Sequence, residues 1–219
     1  MSLAEENYLK TLYQLNFERN IKKDAGTTEL ASLLNIKPAS VNDMLKKLKE
    51  KGLIDNKKYG KISLTNKGKT IALNVIRKHR LWETFLYEKL DFNWSEVHDV
   101  AEQLEHIESN KLVKKLDKFL SFPRFDPHGD PIPNEKGEIV KTHRVLLSSI
   151  KKGGFFRVVG VKDLSSDFLQ YIDDLKIRIN SEIILEDIQE FDKTRLLCFN
   201  ENKVRISKEV SDSIFVLPL

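Results

Sequence analysis

This chain of 219 residues has little of what several large protein classes require. It has one cysteine, Cys198, which excludes an internal disulfide framework and a cysteine-built structural zinc site. No apolar run reaches the length of a transmembrane helix. The opening Met1-Ser2-Leu3-Ala4-Glu5-Glu6 lacks the basic and apolar segments of a signal peptide. Together these features lead us to expect a soluble, cytoplasmic protein with no membrane partner. Repeats and low-complexity tracts are absent, as are a Gly-rich phosphate loop, a His-Glu-x-x-His metalloprotease helix and a serine–histidine pair at a nucleophile turn. No catalytic set is complete, and no enzyme is expected.

What is present is unevenly spread. The net charge is +4, but residues 1–70 carry +6 and the remainder −2. A basic first third is expected where the partner is a polyanion such as double-stranded DNA.

The local pattern in that third agrees. A helix is expected over 4–18, with Leu9, Leu12, Tyr13 and Leu15 or Phe17 inward. A short helix capped by Thr27 or Thr28 follows, then the turn Asn35-Ile36-Lys37. Pro38 suits the first turn of a second helix, which runs to Lys51 and buries Val41, Leu45 and Leu48. Gly52 ends it, and the runs 53–55 and 61–64 form a hairpin. Helix, turn, helix and lysine-bearing hairpin make a winged helix-turn-helix. Ser40 and Asn42 can hydrogen-bond base edges, and Pro38 and Ala39 can pack on thymine methyls. Lys46, Lys47, Lys57, Lys58 and Lys61 would meet phosphates. Asp43 would repel phosphate unless it accepts from a cytosine amino group or pairs with Lys46 or Lys47.

Downstream, long helices carry metal-ligand spacing. His79 and Glu83 are at i, i+4 on a helix expected over 66–90. His98, Glu102, Glu105 and His106 fall at i, i+4, i+7 and i+8 on a helix expected from Ser95 to about Ser109. Imidazole and carboxylate donors suit Mn²⁺, Fe²⁺, Zn²⁺ or Ni²⁺. A third helix is expected over 111–119, with Leu112, Leu116 and Phe119 inward. Residues 122–137 read as a Pro-, Gly- and Asp-rich connection. From Leu147 short strands surround one helix, at 166–175, as in a small β-barrel. The fold class is α+β with three domains: 1–70, 71–143 and 144–219.

Several motifs, in order along the chain, resemble those of the metal-dependent repressors related to the diphtheria toxin repressor and the manganese transport regulators. They are Glu6-Asn7-Tyr8-Leu9-Lys10-Thr11-Leu12-Tyr13, Pro38-Ala39-Ser40-Val41, Lys78-His79-Arg80-Leu81, Val97-His98-Asp99, Glu105-His106 and Asp126-Pro127-His128-Gly129-Asp130-Pro131-Ile132-Pro133. The resemblance implies an SH3-like, FeoA-like last domain. It also implies a homodimer that binds a palindromic operator when loaded with Fe²⁺ or Mn²⁺ and represses metal-uptake genes, and Zn²⁺, Ni²⁺ or Co²⁺ can fill such sites in vitro. By the same resemblance, one metal site uses Glu102, Glu105 and His106 with a first-helix ligand at Asn7, whose neutral amide is a weak donor that water or Glu6 would complete. The other uses His79, Glu83 and His98, with Asp163 or Asp167 as a donor from the last domain. Iron-sensing members often carry cysteine at position 102, and Glu102 is instead similar to the manganese regulators. Lys10 stands where some manganese regulators have a second carboxylate. The alternative is a metal-dependent enzyme or metal-storage module with an accessory winged helix.

Overall fold

The computed structural model describes residues 1–18, 26–56, 62–200 and 202–219. The expected wing lysines Lys57, Lys58 and Lys61 lie outside the described residues. The chain divides into two compact units. The first is Met1–His79, Leu104–Ser109 and Pro133–Glu138; the second is Arg80–Gln103, Asn110–Ile132 and Ile139–Leu219. No described helix is long and apolar enough to cross a membrane.

The first unit begins with α1, Leu3–Tyr13, extended by a π-helical turn over Gln14–Glu18. Ser2 and Glu5 close a capping box at its start, so two helix-end N–H groups find acceptors. Helix α2 spans Thr27–Leu33, with Gly26 rather than a threonine at its N-cap. Helix α3 spans Pro38–Glu50, with Pro38 in its first turn. Val41, Leu45 and Leu48 are buried at the expected spacing, and Gly52 follows at φ +66°, the left-handed conformation that ends helices. Strands β1, Ile54–Asn56, and β2, Ile62–Leu64, pair antiparallel. The Thr65 hydroxyl then accepts from the Gly68 N–H at the start of α4, Asn66–Leu90. Gly68 is required there: a Cβ would lie 2.0 Å from the Leu53 carbonyl oxygen.

In the second unit, the latter part of α4 is followed by α5, Val97–Leu104, and α6, Asn110–Phe119. Helix α5 is shorter than its spacing suggested. It stops at Leu104, so Glu105 and His106 come from the turn after it. The four ligand-type residues at 98–106 therefore do not share one helical face. The face of α6 also differs: Val113 and Leu116 are buried, while Leu112 and Phe119 are exposed.

The rest of the second unit is a six-stranded antiparallel sheet: β3 Val145–Leu146, β4 Gly154–Val161, β5 Glu182–Ile188, β6 Arg195–Phe199, β7 Asn202–Ile206 and β8 Ile214–Pro218. The strand order is β3-β8-β4-β5-β6-β7, with β3 and β7 at its ends. Irregular register at Val158/Gly160 and Leu185/Asp187 bends it. Helix α7, Ser166–Asp174, lies between β4 and β5, and the short α8, Lys208–Ser211, precedes β8. One core joins Leu147, Val158, Leu169, Ile172, Ile183, Leu197 and Val216 to Trp94 from the segment before α5, with Tyr87 of α4 against it.

Candidate functional site

The α3 residues expected to meet DNA lie on its solvent side. Pro38, Ala39, Ser40, Asn42, Asp43, Lys46 and Lys47 are all exposed, opposite the buried Val41, Leu45 and Leu48. Lys47 has a second engagement, 3.2 Å from Glu5 Oε1 of α1, and Lys51 Nζ donates to the same oxygen at 2.6 Å. The Lys51 hydrogen bond, helped by Lys47, outweighs burial and lowers the Glu5 carboxyl to about 2.

Beside that contact, α1 meets the first group of ligand-type side chains. His106 Nδ1 is 2.6 Å from Glu6 Oε2, and His106 Nε2 is 3.6 Å from Glu105 Oε1. Glu105 is 1% exposed, and its Oε2 lies 2.6 Å from His79 Nδ1 and 2.6 Å from Lys10 Nζ. Burial raises the Glu105 carboxyl, but His79 and Lys10 outweigh it and hold the group below its ordinary value. Asn7 is on the exposed side of α1, while Glu6 and Lys10 are on the buried side. The residue that reaches His106 from the first helix is thus Glu6.

The second unit has its own group. His98 Nδ1 is 3.2 Å from Glu83 Oε1, and His98 Nε2 is 3.5 Å from Glu102, which is 55% exposed. Hydrogen bonds to Glu102 and then Glu83 raise His98 to about 9, so a metal taking this nitrogen must displace a proton. Glu83 also faces His128, whose Nδ1 is 3.7 Å from its Oε1. Glu83, Asp126 and His128 are all buried and offer ligand atoms within 4.8 Å of one another.

Asp126 and His128 fall in the segment read from sequence as a connection. It is an ordered turn. Phe125 bridges Pro131, and Asp126 Oδ1 accepts the N–H groups of His128 and Asp130, both at 2.9 Å. Gly129 has φ +83°, and a Cβ there would lie 2.1 Å from the Val159 carbonyl oxygen of β4. The Val161 N–H donates to the His128 carbonyl, and Arg144 donates to the Gly129 carbonyl and to Asp130. Arg80 binds the Pro131 carbonyl and lies 3.5 Å from Asp126. His128 Nε2 is 3.1 Å from the Trp94 carbonyl, and its ring stacks on the Trp94 indole at 5.7 Å. An Nε2–H donated to that carbonyl leaves Nδ1 as the ligand atom, the arrangement commonly found behind metal-binding histidines. Burial lowers His128, but the hydrogen bond and charge of Glu83, aided by Asp126, push it up to about 9. Burial, then repulsion from Glu83 and Asp130, raises Asp126. Buried oxygen and imidazole donors within 4.8 Å of one another fit a divalent transition metal. The signal for this group was in the sequence: an Asp and a His flank Pro127, and Gly129 follows at once.

Asp163 and Asp167 are exposed. Asp163 Oδ1 accepts the Ser165 N–H, and Asp167 is in the first turn of α7.

A winged helix with an exposed polar recognition face, and histidine–carboxylate groups in both units, define a transcription regulator of the metal-responsive class. Comparison with known proteins agrees. The N-terminal DNA-binding domain of iron-dependent repressors matches residues 1–62, their metal-binding and dimerisation domain residues 65–134, and the FeoA domain residues 145–218. The chain belongs to the iron-dependent repressor family. An HTH-type transcriptional regulator of Methanocaldococcus jannaschii is 38% identical over 120 residues, 55% of this chain and 94% of that protein. Two other relatives are matched over less of their length. The iron-dependent repressor IdeR of Mycobacterium tuberculosis is 34% identical over 132 residues, 58% of this chain and 54% of IdeR. A probable metal transport system membrane protein of Chlamydia trachomatis is 43% identical over 84 residues, 38% of this chain and 18% of that protein. A manganese-dependent transcriptional repressor solved with manganese has 30% identity and a TM-score of 0.88, over 98% of this chain and 100% of that one. Structural neighbours are repressors rather than enzymes.

Proposed function

We propose that this protein is a cytoplasmic, Mn²⁺- or Fe²⁺-activated repressor that binds a palindromic operator as a homodimer and controls metal-uptake genes. One observation carries the reading. Helix α1 contacts the ligand-type residues through Glu6 and Lys10, and contacts the recognition helix through Glu5. The same short helix therefore touches what would sense the metal and what would read DNA.

Glu6, Glu105 and His106 would hold one ion, with Glu102 and Asn7 as further candidates from the family pattern. Glu83 and His98 would hold another, and Asp126 and His128 extend the donor set around Glu83; His79 is the further candidate from the family pattern. Asp163 and Asp167 are the candidate donors from the last domain. The ion supplies a doubly charged centre that several side chains can share. Glu6 then fixes α1 against the turn at Glu105-His106, and Glu5 holds Lys47 of α3 and Lys51, which caps that helix. Phe119 and Phe122, 62% and 64% exposed, supply apolar surface for a second copy. Two recognition helices on one dimer must match half-sites about a helical turn, or a multiple of one, apart. Fixing α1 would favour that spacing and couple metal to operator affinity.

The test is operator binding titrated with Mn²⁺ and with Fe²⁺ under anaerobic conditions, against a chelated control. Tight, salt-sensitive binding only with metal is expected. Equal affinity in chelator rejects the reading.

A further inference from the structure

Among the groups around Glu105, one is itself a cation. Lys10 follows Glu6 by one helical turn on α1, and its side chain is 7% exposed. Its Nζ is 2.6 Å from Glu105 Oε2 and 3.2 Å from His79 Nδ1. That ammonium occupies one of the two Glu105 carboxylate oxygens, and the other, Oε1, faces His106 at 3.6 Å. A carboxylate as buried as Glu105 is strongly destabilising without a counter-charge, and Lys10 provides one. An ammonium and a divalent ion on the two oxygens of one buried carboxylate repel each other and divide its single charge.

We propose that Lys10 is a built-in competitor for the metal: it neutralises Glu105 in the metal-free chain, and its displacement sets the metal concentration at which the Glu6, Glu105 and His106 group fills. The inference rests on the metal reading given above. It differs from a purely structural role in the sign of one effect. Removing a structural lysine weakens both the fold and metal binding. Removing a competitor weakens the metal-free fold but strengthens metal binding.

The experiment compares wild type with Lys10→Met, Lys10→Gln and Lys10→Arg. All are placed in a Glu83→Gln background, to silence the other donor group. Calorimetry with Mn²⁺ and thermal unfolding in chelator and in Mn²⁺ are the readouts. The two neutral variants should bind Mn²⁺ about tenfold tighter or more. They should melt lower than wild type in chelator, and their gain in Tm on adding Mn²⁺ should be wider. Lys10→Arg keeps the charge and should bind no tighter than wild type. Neutral variants that bind Mn²⁺ no tighter, while the parent binds it and Glu105→Gln loses it, overturn the competitor role alone. A parent that takes up no Mn²⁺ sensitive to Glu105→Gln overturns the metal reading and this inference with it.

Discussion

The two groups of ligand-type residues are held in different ways. Around Glu105, almost every contact is between side chains: Glu6 with His106, Lys10 and His79 with Glu105. Around Glu83, Asp126 and His128 are fixed by backbone. Two amides grip the Asp126 carboxylate, the Trp94 carbonyl takes one His128 nitrogen, and β4 holds the His128 carbonyl. Backbone anchoring preorganises a site and leaves it little freedom to rearrange. Side-chain anchoring lets partners exchange. The first unit is thus built to change with occupancy, and the second to stay as it is.

The largest effect that would test this contrast is at Gly129. Placing a Cβ 2.1 Å from the Val159 carbonyl, at φ +83°, requires the whole turn to shift. Gly129→Ala should cost about 3 kcal/mol or more, read by urea unfolding. A neutral substitution would show that the second group is not rigidly held. Next, Glu105→Gln and His106→Ala should each lower metal-dependent operator affinity on the order of 100-fold, since each removes a charged or imidazole donor. Operator titrations that leave affinity unchanged would place the sensor in the second group alone.

Smaller effects separate reading from support. Ser40→Ala and Asn42→Ala should each lose about 1–3 kcal/mol of discrimination between operator and mutated operator. The exposed face of α3 would not be the reading surface if competition assays showed no change. The smallest effect is at Glu5. Its folded pKa, about 2, lies below the ordinary 4.5. Its contribution to stability is therefore complete above pH 4.5 and is lost as pH falls toward 2. Because Lys47 and Lys51 are about half exposed, Glu5→Gln should cost only about 1 kcal/mol at neutral pH, with melting curves converging on wild type near pH 2.

Much of this architecture was legible in the sequence because local pattern and burial agree. Pro38, the i, i+4, i+7 spacing of Val41, Leu45 and Leu48, and Gly52 place α3 almost to the residue. The short strands expected after Leu147 are present, β6 alternating buried and half-buried residues along its length. What failed depended on tertiary contacts. The period of 98–106 looks helical through Glu105 and His106, yet the helix stops at Leu104. On α6, periodicity admits either Phe119 or Val113 as the inner residue, and packing chose Val113. The motif holding Asp126 and His128 was visible, but its Pro and Gly read as a connection, and only the close approach of β4 at Gly129 makes it an ordered turn. Between Asn7 and Glu6, both open from sequence as the first-helix donor, burial puts Glu6 on the side of α1 that meets His106.

The stacking of Trp94 on His128 also makes the molecule its own optical probe. The chain has two tryptophans. Trp82 packs edge-on to Phe85, whereas the Trp94 indole lies 5.7 Å from the imidazole ring of His128. A paramagnetic ion bound through that imidazole would dim the emission of one fluorophore, and the other would supply a steadier background. Filling of the second group could then be followed by light alone, apart from any event at Glu105, with Trp94→Phe as the dark control.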